Sequence, residues 1–219
     1  MDEEFLREVA SQLRKPNGEF GKEVASKMNE SNRLMNIRAI ESLKIRDFDS
    51  LLEIGMANGA FVHQIIKSAK GIRYTGIDYS LEMVELAKLN NQQLMDSEIV
   101  EFKLGDISKL PHLSESVDKI FTVNTIYFWD QPDLAFKECK RVLKSNGLLA
   151  IAIRPESCLK KYPSTKFNFK HYTIKDVEEL LAKHGFDIDS IIKESEPKTE
   201  VLEEIITPEF AVIIGRKLS

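Results

Sequence analysis

Two apolar runs, each ending where a chain must turn, constrain this sequence most: Leu51-Leu-Glu-Ile-Gly-Met-Ala-Asn-Gly-Ala-Phe61 and Tyr74-Thr-Gly-Ile-Asp-Tyr-Ser80. The first gives way to small residues, Gly55, Ala57 and Gly59; the second ends on an acid, Asp78. Small residues just past a strand let the backbone approach a ligand closely and turn into a helix. Asp78 follows Gly55 by 23 residues, close to the spacing at which a carboxylate reaches a ribose diol. Ser80 is the better-placed helix cap, which leaves Asp78 for a ligand. Together the runs predict a strand–turn–helix–strand unit that cradles an adenosine group.

The rest of the chain extends that unit. Strands are predicted near 50–55, 73–78, 98–104, 117–124 and 147–153, with helices near 59–69, 81–95 and 132–144. Asp130-Gln-Pro-Asp133 reads as the cap of the last helix and Asn146-Gly147 as its close. Strands that are apolar almost throughout, such as Leu148–Ile153, suit a parallel sheet covered on both faces. Residues 154–172 interrupt the alternation. A helix near 173–184 follows, with Thr173 as cap and Gly185 as stop. Strands near 186–194 and 209–216 are close enough in sequence to pair antiparallel at a sheet edge.

The fold class is therefore α/β: a doubly wound, mostly parallel, seven-stranded sheet with an antiparallel edge strand. Residues 1–46 carry helical spacing (Phe5, Leu6, Val9 and Leu13, then Val24, Met28, Leu34, Ile37, Ile40 and Leu43), broken at Pro16-Asn-Gly18. They form a helical lid on a single domain spanning 47–219, with the insert near 154–172.

At 219 residues the chain can bury a full core. A net charge of −4 argues against nucleic acid as a partner, since phosphates reward clustered Lys and Arg. Cys139 and Cys158 form no CxxC pair, so neither a metal site nor a disulfide framework is expected. The acidic start and the lack of a long apolar run place the chain in the cytoplasm, with no membrane insertion.

The first turn also selects among adenosine cofactors. A dinucleotide site reads Gly-x-Gly-x-x-Gly and receives a pyrophosphate. Here the order is Gly-x-Ala-x-Gly, the loop has no Lys or Arg, and Glu53 stands two residues before Gly55. A carboxylate there repels a pyrophosphate and attracts the ammonium of a methionine group, which points to S-adenosyl-L-methionine. Asp106, after the third strand, is placed to accept from an adenine amino group, with Ile107 beside it. A turn-capping role suits Asp106 as well. Asn124 ends the fourth strand, near the reactive end of such a cofactor.

These blocks resemble the class I S-adenosylmethionine-dependent methyltransferases, small-molecule branch, from about Leu51 to Ile153. The match includes Leu-Leu-Glu-Ile-Gly, Gly-Ile-Asp-Tyr-Ser-Leu-Glu-Met, Gly-Asp-Ile-x4-Pro, Ser-Val-Asp-Lys-Ile-Phe and Cys139-Lys-Arg-Val-Leu-Lys-Ser-Asn-Gly147. The resemblance implies a Rossmann-like fold and a cofactor site of Glu53, Gly55, Ala57, Asn58, Gly59, Asp78, Tyr79, Met83, Asp106, Ile107 and Asn124. Glu53, Gly55 and Gly59 would line the methionine end, and Asp78 would bind ribose. Tyr79 or Met83 would lie against adenine, with Asp106 and Ile107 at the base edge. Where the family often has Cys-Gly, this chain has Met56-Ala57.

The segment Val24–Asn36 resembles the lead-in of quinone-biosynthesis methyltransferases. Asn29, Asn32 and Asn36 recur there at helical spacing. They read as a solvated helix face, or as a face that orients an acceptor. Tyr127, Phe128 and Trp129 follow Asn124 and could line a pocket for a small-molecule acceptor. Tyr127 and His171 are the weak candidates for catalysis. A sulfonium activates its own methyl group, so the protein need mainly align donor and acceptor and exclude water. Two other classes share these features: a non-catalytic S-adenosylmethionine-binding protein and a nicotinamide-dependent oxidoreductase.

Overall fold

In the computed structural model, which describes residues 2–201 and 204–218, three helices precede the sheet: α1 (Glu3–Arg14), α2 (Gly18–Ser31) and α3 (Arg33–Ser42). The expected break at Pro16-Asn-Gly18 separates the first two. A second break, not expected from spacing, falls at Asn32.

Strand and helix then alternate: β1 (Ser50–Ile54), α4 (Val62–Ser68), β2 (Arg73–Asp78), α5 (Leu81–Asn90), α6 (Gln92–Met95), β3 (Val100–Leu104) and β4 (Val117–Val123). A 3-10 turn over Ile126–Phe128 leads to α7 (Pro132–Val142), which passes directly into β5 (Leu143–Ile153). The 154–172 region holds α8 (Glu156–Leu159) and a 3-10 turn at Pro163–Lys166. The chain closes with α9 (Ile174–Lys183), β6 (Phe186–Ser195), β7 (Thr199–Val201), β8 (Glu204–Ile206) and β9 (Glu209–Lys217).

The main sheet has the order β3-β2-β1-β4-β5-β9-β6, with β1 to β5 parallel. The antiparallel pairing expected at the edge is β6 with β9; β9 also pairs antiparallel with β5, so the reversed strand lies one place in. β7 and β8 form a separate hairpin, not expected from the sequence.

Successive strand side chains alternate between faces, and both faces are buried. Leu52, Ile54, Ile120, Ile151 and Ile213 join α7 and α9 in one core. Leu51, Tyr74, Phe121, Ala150 and Val212 join α3, α4 and α5 in the other. Because the winding direction reverses between β1 and β4, the carboxyl ends of those strands open a crevice.

Several boundaries differ from the sequence reading. The first crossover helix starts at Val62 rather than 59, because Gly59 holds φ +68° in the preceding loop. The 81–95 helix is divided at Asn91, whose buried amide donates to the Gly59 and Ala87 carbonyls. Asn146-Gly147 does not close α7. The helix ends at Val142, where the Glu115 and Ser116 N–H groups take the Arg141 and Val142 carbonyls (2.9 Å each). Asn146 then adopts φ +63° within an irregularity of β5. Asp133 caps nothing at α7; it pairs with Lys183 and His184 of α9. The Ser80 and Thr173 caps are present, the latter with a reciprocal Asp176 bond, and Gly185 ends α9 at φ +77°.

Candidate active site

The crevice beyond β1, β2 and β4 is a cavity of about 240 Å³, roofed by α1, the α1–α2 turn and the α2–α3 junction. Its floor begins where β1 ends. Gly55 takes φ +73° while its N–H still donates to the Ile77 carbonyl (2.7 Å), so the turn starts in register with the ladder. Ala57 takes φ +48°, a left-handed conformation that costs a residue with a Cβ about 1 kcal/mol. Its N–H donates to Asp78 Oδ2 at 2.9 Å, and the Ser80 N–H donates to Asp78 Oδ1 at 2.8 Å. The turn at 55–59 and the carboxylate at 78 therefore converge. The expectation that Asp78 is left free for a ligand is thereby corrected, because its carboxylate first holds the loop. Each carboxylate oxygen keeps a second lone pair for a further donor.

Glu53 lies beneath this turn, 5% exposed, and lines the cavity. Tyr74 Oη donates to its Oε2 at 2.5 Å. Burial pushes the Glu53 carboxyl up to about 7; the Tyr74 bond opposes that rise and Asp78 adds to it. Burial also raises Asp78, against the backbone N–H groups of Ser80, Ala57 and Tyr79. Two carboxylates thus face one cavity, and among the described residues no cation is bonded to either. The cavity-lining Arg14 is committed to Asp130 (2.8 and 3.0 Å). Such a donor set disfavours a pyrophosphate and favours a ligand carrying positive charge and hydroxyl donors.

The chain matches the methyltransferase domain family over residues 52–151. It is 30% identical over 175 residues to the uncharacterized methyltransferase YdaC of Bacillus subtilis, covering 80% of this chain and 92% of that protein. The chain belongs to the class I S-adenosylmethionine-dependent methyltransferases. The methyltransferase is also similar to demethylmenaquinone methyltransferase of Thermotoga maritima, 26% identical over 136 residues, 58% of this chain and 57% of that one. Its fold matches a chain from the complex between the Haloferax volcanii Trm112 methyltransferase activator and a methyltransferase, at TM-score 0.77 and 18% identity. That match covers 89% of this chain and 93% of the other.

S-adenosylmethionine is the cofactor of this methyltransferase, and the cavity suits it: buried carboxylates for a cationic amino-acid end and a diol, no free basic side chain among the described lining residues. Of the residues expected around it, Glu53, Gly55, Ala57, Asp78, Tyr79, Asp106, Ile107 and Asn124 line the cavity. Asp106 is exposed and its Oδ1 accepts from the Ser108 N–H (2.7 Å), so it shapes a turn as well as facing the cavity.

Three expected residues lie behind the wall. Gly59 is buried where a Cβ would meet Asn91, Ala87 and Phe102, so it serves helix–strand contact. Met83 is fully buried under α5. Asn58 bridges elements: its Oδ1 accepts from Asn29 Nδ2 (3.0 Å) and its carbonyl from Asn90 (3.1 Å).

Neither catalytic candidate is in the cavity. Tyr127 is 1% exposed and points inward, its hydroxyl 3.0 Å from both Asn124 Oδ1 and the Arg154 carbonyl and accepting from the Arg154 N–H at 2.5 Å. Burial drives that phenol far above its ordinary range. His171 Nε2 meets the Thr165 carbonyl at 2.9 Å inside the 154–172 region. Trp129 and Phe128 do line the cavity.

The asparagines overturn the solvated-face reading. Asn29, Asn32 and Asn36 all border the cavity, and Asn36 is only 7% exposed. Also lining it, and missed from sequence, are Leu13, Arg14, Met28, Phe61 and Thr125. Leu13, Arg14 and Met28 belong to the helical segment over residues 1–46 expected as a lid, an expectation that named no individual wall residue among them.

Proposed function

We propose that this methyltransferase transfers its methyl group to a small organic acceptor, in the cytoplasm. One observation carries the reading: the cavity is covered. Ser80 Oγ donates to the Pro16 carbonyl (2.6 Å), the Gly18 N–H donates to Glu82 (2.5 Å), and Arg14 spans to Asp130. α1 and α2 thereby act as a lid whose two sides are pinned to the loops after β2 and β4. A crevice covered in this way admits a compact molecule more readily than a folded polymer. The net charge of −4 and the named substrate of the Thermotoga relative support the same class. Two buried, unpaired thiols suit a reducing compartment.

When bound, the cofactor supplies a methyl group already activated by sulfonium charge. The chain's task is to hold and orient. Glu53 attracts the ammonium, and Asp78 offers its remaining lone pairs to the ribose hydroxyls while fixing the Ala57 turn. Asp106 and Ile107 hold the base edge, and Tyr79 covers it. Asn124 stands at the reactive end, and Phe128, Trp129 and Met28 exclude water from that side.

Incubation with methyl-labelled cofactor, followed by separation of small molecules from polymers in a cell extract, tests the reading. Label in the small-molecule fraction is expected; label confined to protein or RNA would overturn it.

A further inference from the structure

The reacting end of the cavity is furnished with amides. Asn124 ends β4 with φ +56°, a conformation Asn tolerates better than most residues. Its amide is oriented from behind. The buried Tyr127 hydroxyl accepts from the Arg154 N–H, so its single proton is directed toward Asn124 Oδ1 or the Arg154 carbonyl. With its oxygen facing Tyr127, Asn124 donates through Nδ2 to Asn32 Oδ1 at 3.0 Å. Asn32 sits at the α2–α3 junction, and its oxygen is thereby committed. Both N–H groups of its amide are left without a partner among the described residues, at a position that lines the cavity.

Around this amide the wall is apolar, with Met28, Phe128 and Trp129, and the basic Arg14 is at the rim. The carboxylates Glu53, Asp78 and Asp106 lie at the ends of β1, β2 and β3, on the cofactor's side. The fourth carboxylate among the described lining residues, Asp130, follows β4, the strand whose Asn124 meets Asn32, and is paired with Arg14. No imidazole, thiol or lysine lines the cavity among those residues.

We propose that Asn32, set by the Tyr127–Asn124 relay, donates hydrogen bonds to an anionic oxygen of the acceptor, and that the acceptor is an oxyanion on an apolar body: a carboxylate or a phenolate. This rests on the small-acceptor reading above. A lone pair of the acceptor oxygen forms the new O–CH3 bond as the S–CH3 bond breaks, and that bond's electron pair stays on sulfur. An acceptor that arrives deprotonated surrenders no proton to the protein, so none of the lining carboxylates Glu53, Asp78 and Asp106 need act as a base toward it. An ammonium-bearing acceptor would find donors and a guanidinium where it needs acceptors.

The test uses the intact chain at pH 8 with four probes of similar bulk: octanoate, 4-nitrophenol (a phenolate at that pH), benzylamine (an ammonium) and cyclohexanethiol (a neutral thiol). Binding to protein loaded with S-adenosylhomocysteine is followed by NMR, and transfer by mass spectrometry of the methylated product. Octanoate or 4-nitrophenol is expected to bind and to become O-methylated, the carboxylate and phenolate arms separating the two sources of oxyanion. N32L should raise the probe's KM at least about tenfold, with kcat and cofactor affinity changed far less. N32D keeps the oxygen that Asn124 needs but replaces two donors with charge, so its loss should exceed that of N32L. A purely structural residue would show the reverse order. Preference for benzylamine or cyclohexanethiol, failure of both oxyanions to bind, or equal loss of cofactor and probe affinity in N32L would each overturn the proposal. Methylation of benzylamine would leave the small-acceptor reading standing, whereas label found only in polymers would remove that reading itself.

Discussion

At the scale of single residues, Ala57 and Glu53 carry the sharpest expectations. Ala57 stands in a left-handed conformation where the family often has Gly, held by its bond to Asp78. Ala57→Gly removes about 1–2 kcal/mol of Cβ strain and gives back about 0.4–1 kcal/mol through a freer unfolded chain. A net gain between zero and about 1.5 kcal/mol is expected, read from the urea midpoint. Glu53 gives a pH signature. Its folded-state value of about 7 lies above the ordinary 4.5, so the folded protein holds the proton more tightly. The stability of the cofactor-free protein should then fall as pH rises from about 4.5 to about 7 and level off above that, by at most about 3 kcal/mol. Glu53→Gln should flatten that slope in denaturation curves. An ammonium beside Glu53 favours its ionised form, so affinity for S-adenosylmethionine should increase as pH rises toward 7, measurable by calorimetry. Asp78→Ala loses both the loop bond and the diol acceptor, and at least a tenfold weaker binding of cofactor is expected.

At the scale of elements, the chain separates what fixes a helix from what fixes the lid. α9 starts at a complete capping box, with the Thr173 and Asp176 side chains each bonded to the other's backbone N–H. Thr173→Ala should cost about 1 kcal/mol in stability and leave cofactor binding unchanged, since this end of the helix is away from the cavity. The Arg14–Asp130 pair is the opposite case. Both side chains are substantially solvated, so it contributes under about 1 kcal/mol. Arg14→Ala should barely move the melting temperature and should speed cofactor release in stopped-flow measurements, because the lid loses its tie to the β4–α7 turn.

At the scale of the whole molecule, α3 and α1 play different parts although both precede the sheet. Met35, Ala39, Ile40 and Leu43 belong to the core that includes Leu51 and Phe121, whereas no residue of α1 enters either principal core. Deleting residues 2–15 should leave a cooperatively unfolding protein with weakened cofactor binding. Extending the deletion through α3 should abolish cooperative unfolding, visible as loss of a single calorimetric transition.

What the sequence determined by itself was local or repetitive. Apolar runs alternating with helical spacing imply a doubly wound sheet because each strand must be covered on both faces. The Gly55–Gly59 turn and Asp78 are legible because a ligand that must touch both demands fixed residue types at fixed spacing. The departures came from partners distant in the chain. α7 stops at Val142 because Glu115 and Ser116 take its last carbonyls, and no motif near 142 records that. Its place beside Trp129 suggests a pocket residue in Tyr127, but the 3-10 turn rotates it inward to the Arg154 backbone. Spacing leaves Asn29, Asn32 and Asn36 open to two readings, a solvated face or one that orients an acceptor, because polar residues on a helix ordinarily face water. Only the folding back of α1 and α2 over the strand ends turns that face into a cavity wall. Spacing along a chain encodes periodicity, while the direction in which a polar face points depends on what is packed opposite it, and that is settled in three dimensions.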